Sequence, residues 1–160
     1  MIVSAFHEQI AEVAGQLADG LWTLGSPTIA PKVIAAYRRG AEKAGREPGE
    51  IWLQALAATG RDDDAALAGS REWKPALVQE LYTDDIHTTD DIQAKGEDVS
   101  DGQFSRANLV SANPDTHVAK LKLLRELGAT GVVVVNASGA DPEGLIRLYG
   151  SKVLPRLREC

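Results

Sequence analysis

Ser4-Ala5-Phe6-His7 is the first place in this sequence where chemistry could gather. The four residues follow the apolar pair Ile2-Val3 and precede Glu8 to Ala18, where Ile10, Ala11, Val13, Ala14, Leu17 and Ala18 recur at helical spacing. A strand that turns at once into a helix presents the helix's unpaired N–H groups, and its partial positive charge, to an anion. Ser4 could add a hydroxyl and His7 an imidazole, while Glu8 brings a negative charge to the same place. The competing reading is an ordinary βα turn with a capped helix.

Other reactive side chains are scattered. Thr23 and Ser26 end a second apolar run and could cap the helix that follows. Arg106 reads as an exposed arginine on an insertion helix. Glu72 and Asp141 could serve as acids or bases, or more simply as a solvated residue and a helix N-terminal charge. His87 and His117 lack Cys, His or Asp partners at metal-ligand spacing, so both read as surface residues and no metal is expected. Cys160 is the single cysteine, which excludes an intrachain disulfide and fits a reducing cytoplasm. No nucleophile elbow, P-loop or G-x-G-x-x-G is present.

The elements that must position these residues alternate. Strands are expected over Ile2–Ala5, Leu21–Leu24, Ile51–Thr59 and Val132–Val135. Helices are expected from Glu8 to Ala18, after Thr28, from Asp62 to Leu81, after Asn113-Pro114-Asp115 and after Pro142. Asp19-Gly20 and Ala44-Gly45 to Gly49 stop the first two, and Pro75 kinks the third or starts a new helix. Tyr82 to Asn108 is polar, with Ile86, Ile92, Val99 and Phe104 too widely spaced for strands, so residues 61–108 read as a helical insertion. The Val132–Val135 run argues for a parallel sheet covered on both faces. The fold class is therefore α/β, a single domain over 1–160 with about four parallel βα units and an insertion before the last strand.

Bulk properties fit. The 160 residues are 44% hydrophobic and 25% charged, values of an ordinary globular chain. A net charge of −6 leaves no basic stripe for nucleic acid. No apolar run approaches the roughly 20 residues of a membrane span, and no signal peptide opens the chain.

In this order and spacing the segments resemble the C-terminal half of luciferase-like (βα)8-barrel oxidoreductases, in the branch that uses the deazaflavin coenzyme F420 and includes F420-dependent glucose-6-phosphate dehydrogenases. The likeness rests on Ser4-Ala5-Phe6 with Ala11–Gly15 and Ala18–Leu21, on Tyr37 to Pro48 (YRRGAEKAGREP), and on Arg71–Pro75. It continues through Ala112–Asp115 with Leu127–Val132, and Asp141–Leu145 with Leu154–Leu157. It spans nearly the whole chain. The resemblance implies the second half of a TIM barrel, which as a whole needs about 250 residues. It implies that Ser4, Ala5, Phe6 and His7 occupy the turn that holds the coenzyme's phosphate-bearing tail. The family has Gly-Gly-Pro or Phe-Gly-Pro there, whereas this chain has Phe6-His7-Glu8. It places Thr23 and Arg106 at substrate-phosphate positions, with Pro27 near the place of the family's lysine. The aspartate, histidine, tryptophan and glutamate that meet the deazaflavin ring lie on the family's early strands and have no counterpart here.

Three functions follow. The first is a truncated or split F420-dependent oxidoreductase, whose full-length relatives transfer hydride between deazaflavin and a small organic substrate; FMN is the weaker coenzyme candidate. The second is a non-catalytic half-barrel that forms a homo-oligomer or pairs with a separate N-terminal half-barrel chain, because a half-barrel leaves two strand edges and an inner face uncovered. The third is a flavodoxin-like binding domain.

Overall fold

The computed structural model describes residues 1–78, 80 and 86–158. Strand and helix alternate as β1 (Ile2–Ser4), α1 (Glu8–Leu17), β2 (Gly20–Leu24), α2 (Ala30–Lys43) and β3 (Glu50–Ala58). Then come α3 (Asp63–Ser70), a 3₁₀ segment (Arg71–Leu77), α4 (Thr89–Glu97), α5 (Asp101–Ala107) and the two-residue β4 (Leu109–Val110). The chain continues with α6 (Pro114–Glu126), β5 (Gly131–Asn136), α7 (Pro142–Leu148), a π-helical segment (Tyr149–Val153) and α8 (Leu154–Arg158). β1 pairs with β2, β2 with β3 and β3 with β4, all parallel, and β5 also pairs with β3. Cys160 and Leu81 lie outside the described residues.

Two compact units share the chain: Met1–Ala55 with Ala119–Val135, and Leu56–Val118 with Asn136–Cys160. In the first, register puts Leu21 beside Ile51 and Thr23 beside Leu53. With Ala55 these form one face of the strands, every residue of it less than 10% exposed. Alternation sends Ile2, Ser4, Trp22, Leu24, Trp52 and Gln54 to the other face, where all are half-buried or exposed. On that open face Trp52 lies flat across Gly131, where an added Cβ would stand 2.9 Å from the indole. Its indole N–H donates to Glu50 Oε2 at 2.9 Å.

The covered face is closed by α1 and α2. Their small residues let the backbones touch: a Cβ on Gly40 would stand 1.9 Å from the Glu12 carbonyl oxygen, and one on Gly15 2.0 Å from that of Tyr37. Ala11, Ala14, Val33, Ile34, Ala36 and Ala41 fill the rest of the seam or the layer beneath it. Tyr37, 1% exposed, accepts a hydrogen bond from Gly49 N–H and so fixes the entry to β3.

The second unit is built around Leu56, Ala58, Ala66, Phe104, Val110 and Ala137. Its helices carry their own start signals: Asp62 caps α3 through Ala65 N–H at 2.7 Å, and Ser100 with Gln103 forms a capping box on α5. Arg71 and Lys74 of the 3₁₀ segment bind Asp101 at 2.9 and 2.7 Å. These two cations hold the Asp101 carboxyl down at about 2, Arg71 first.

Several expectations need correction. Trp73 and Leu77 read as inward residues of the Asp62–Leu81 helical stretch, on either side of Pro75, yet they are 36% and 41% exposed. The 3₁₀ segment has three residues per turn, which breaks the phase set by α3. The valines of β5 were expected to be covered on both faces, but all six of its residues are only half-buried. β4 follows directly on the expected insertion, at Leu109–Val110, a position for which no strand was expected.

Candidate functional site

The turn after β1 is fixed at one atom. Ala5, 2% exposed, donates its N–H to the Trp22 carbonyl at 3.0 Å, and around it Ser4, Phe6 and His7 are exposed. His7 is the residue before α1, with extended backbone angles (φ −126°, ψ 149°). Its carbonyl accepts from Ala11 N–H, but its side chain makes no capping hydrogen bond to the helix. The positive end of a ten-residue helix is thus left without a side-chain cap, beside an imidazole and the Ser4 hydroxyl. Glu8, which would oppose an anion, has its carboxylate 3.8 Å from the Arg39 guanidinium. Phe6 stands where a glycine would permit closer backbone approach, and its ring is 42% exposed. The donors present suit the oxygens of a phosphate diester; the bulk at Phe6 limits how close they come.

The end of β2 is the neighbouring strand terminus, since Ser4 pairs in register with Trp22. Thr23 is fully enclosed, on the same face as Leu21. Its Oγ1 and the Trp22 Nε1 are buried without a hydrogen-bond partner among the described residues. Beyond it Gly25 N–H donates to the Gln54 carbonyl at 2.8 Å, and the Ser26 carbonyl accepts from Ile29 and Ala30 N–H. Ser26 therefore organises the start of α2 through its backbone, with its hydroxyl 2.9 Å from that of Thr28.

Arg106 belongs to the other unit. It is exposed on α5, its guanidinium folded back along the helix to within 3.2 Å of where a Gly102 Cβ would sit. The first unit brings Ser4–His7 and Thr23 to adjacent strand ends. Glu72 is exposed, and Asp141 caps α7 through Gly144 N–H at 2.9 Å. A cavity of about 590 Å³ between the 3₁₀ segment and α5 is lined by Leu77, Val78, Lys95, Val99 and Gln103, none of them an expected site residue. Among the described residues no cluster of three or more His, Cys, Asp or Glu could hold a metal, and no helix is long and apolar enough to cross a membrane.

His117 is the residue the sequence reading placed wrongly. It is fully buried, its Nε2 2.9 Å from the Ser111 carbonyl and its Nδ1 3.2 Å from the Tyr149 hydroxyl. A carbonyl only accepts, so His117 donates from Nε2 to Ser111, and its Nδ1 faces the Tyr149 hydroxyl. Burial pushes the Tyr149 phenol well above its ordinary value, which keeps it protonated. Asp63 Oδ1 accepts from the Ser111 hydroxyl at 2.8 Å and from Ala112 N–H at 2.7 Å, and these bonds lower its carboxyl. The signal was in the sequence: His117, Leu121 and Leu124 fall four and three residues apart, on one helical face, and both leucines are buried.

Parallel strands joined by helices, with the polar turns after β1 and β2 on adjacent strand ends, define the class as one half of a βα barrel. The chain belongs to the luciferase-like monooxygenase family, which it matches over residues 1–131. It is 28% identical over 161 residues to an F420-dependent glucose-6-phosphate dehydrogenase of Nakamurella multipartita, covering 98% of this chain and 47% of that protein. An F420-dependent secondary alcohol dehydrogenase, solved with an F420-acetone adduct, superposes with a TM-score of 0.88 at 20% identity, over 98% of this chain and 48% of that one. The F420-dependent tetrahydromethanopterin reductase of Methanopyrus kandleri gives 0.70 at 21% identity, over 97% and 50%. The chain spans about half the length of the curated relatives it matches, and the matched half is the C-terminal one.

Proposed function

We propose that this chain is the coenzyme-tail half of an F420-dependent oxidoreductase, incomplete for hydride transfer by itself. The observation that carries the reading is the turn Ser4–His7. It leaves an uncapped helix N-terminus, an imidazole and a hydroxyl together at a strand end, in the half of the barrel matched by F420-dependent relatives. When bound, the deazaflavin supplies the hydride chemistry, and the protein's share is binding and orientation. Here Ser4 and His7 donate to tail phosphate oxygens, Ala5 fixes the turn through Trp22, and Arg39 draws off the charge of Glu8. Arg106, an exposed cation of the second unit, is the substrate-side candidate; Thr23 is sealed on the helix-covered face of β2, where its hydroxyl does not reach a substrate. The remaining barrel half comes from a partner, either another copy or a separate N-terminal half-barrel chain.

The reading is tested by titrating the purified chain with F420 and following quenching of the deazaflavin fluorescence. Saturable binding is expected, with the phosphate-free deazaflavin core and FMN as weaker competitors. His7→Ala should weaken F420 about tenfold, the loss of one charge-assisted hydrogen bond. A flat titration, or equal affinity for the core alone, sinks the proposal.

A further inference from the structure

Six of the eleven large apolar side chains that stand exposed among the described residues fall in the first seventeen positions: Met1, Ile2, Phe6, Ile10, Val13 and Leu17. Ile10, Val13 and Leu17 form one stripe of α1 and are 50–69% exposed. The opposite face of the same helix, Ala11, Ala14 and Gly15, is already used against α2. A helix inside a βα array has a helical neighbour on each side; among the described residues α1 packs extensively on one helix, α2. Among the described strands β1 pairs with β2 alone and β5 with β3 alone, so both outer rows of backbone groups are open. Between these edges lies the half-buried face that carries Trp22, Leu24 and Trp52.

We propose that this surface docks a second copy of the same chain, β5 of each copy adding in parallel to β1 of the other about a two-fold axis along the strands. Three features select this occupant. The strands β1, β2, β3 and β5, doubled, number eight, at which a barrel interior is just filled by side chains. The two open edges are opposite ends of one parallel ladder, so a two-fold along the strand direction joins them twice in the same sense and the contact closes instead of propagating. The chain also spans about half the length of its relatives, leaving room in a barrel of their size for one more half. The assembly is independent of coenzyme binding: F420 titration reports on one, the molar mass on the other.

Light scattering on the purified chain at micromolar concentration should give twice the 17.1 kDa chain mass. The double variant Val13→Glu/Leu17→Glu should fall to the single-chain mass with its circular dichroism unchanged. Leu77→Glu, an exposed apolar position on the 3₁₀ segment, should keep the doubled mass. A wild-type mass of one chain, an open-ended series of masses, or a double variant that stays doubled overturns the proposal. If the double variant fails to fold, amide exchange in Ile2–Ser4 of the wild type decides: it should slow by about tenfold between dilute and concentrated samples, and unchanged exchange overturns the dimer.

Discussion

The two faces of the strands in the first unit could hardly differ more in how they are closed. Leu21, Thr23, Ile51, Leu53 and Ala55 are sealed beneath helices that touch backbone to backbone, while the residues that alternate with them remain half-buried or exposed. Both faces carry large apolar side chains, so composition does not separate them. What separates them is supply. Each strand brings its own covering helix, but the inward face of a barrel is covered only by strands from across the interior. A half-barrel therefore folds one face well and presents the other.

The largest expected effect lies at the seam of the closed face. Gly40→Leu would push a side chain into the Glu12 carbonyl, which a Cβ alone would approach to 1.9 Å, with no flexible neighbour to yield. A loss of more than about 3 kcal/mol is expected, enough to unfold a small domain, because overpacking here must separate two backbones. Circular dichroism and a thermal scan of the variant would show it. A folded Gly40→Leu protein with a near-normal melt would mean the helices are not locked.

The next test compares the faces directly. Leu53→Ala, on the closed side, should cost about 2–5 kcal/mol in urea unfolding, the usual range for emptying a packed site. Trp52→Ala, next along the same strand on the open side, should cost less than about 1.5 kcal/mol when both are made in the single-chain Val13→Glu/Leu17→Glu background. Equal losses would show that the open face is covered after all. In the second unit His117→Phe keeps the bulk but leaves the Ser111 carbonyl and the Tyr149 hydroxyl without the imidazole, at a cost of about 2 kcal/mol.

Much of this frame is legible in the sequence, and the exceptions share a cause. The order of the four main strands and the helix after Glu8 follow from local periodicity, which does not depend on distant parts of the chain. Gly20, expected to stop that helix, opens β2 after α1 has ended at Leu17. Periodicity also revealed the apolar positions of α1. It could not say that Ala11 and Ala14 would be covered while Ile10, Val13 and Leu17 would not, because that is decided by which neighbour is present. The same holds for β5, whose valines read as a two-face-buried strand and are half-exposed. His117 differs for another reason: it has no metal-ligand partners at short spacing in the sequence, while its helical phase with Leu121 and Leu124 marks it as a core position of α6. At the site, Ser4 and His7 were legible as a turn before a helix. The enclosure of Thr23 follows from its alternation with Trp22 and needed the tertiary cover to be seen.

The smallest effect tests an open surface where charge, not apolar contact, does the holding. Asp101 joins α5 to Arg71 and Lys74, and its carboxyl is held at about 2 against an ordinary 3.8. A carboxylate with a depressed folded value stabilises the folded state above its unfolded value, and that stabilisation fades as pH falls through the folded one. The melting temperature should therefore decline between about pH 4 and pH 2. Asp63, Glu12 and Asp19 are also lowered and add to the same decline, so Asp101→Asn should remove only part of it. The contribution of Asp101 should also shrink in salt, because the ion cluster is solvent-exposed and screened. A variant whose acid limb is indistinguishable from wild type at low salt would show that the 3₁₀ segment is held by its apolar contacts instead, as the closed face of the first unit is.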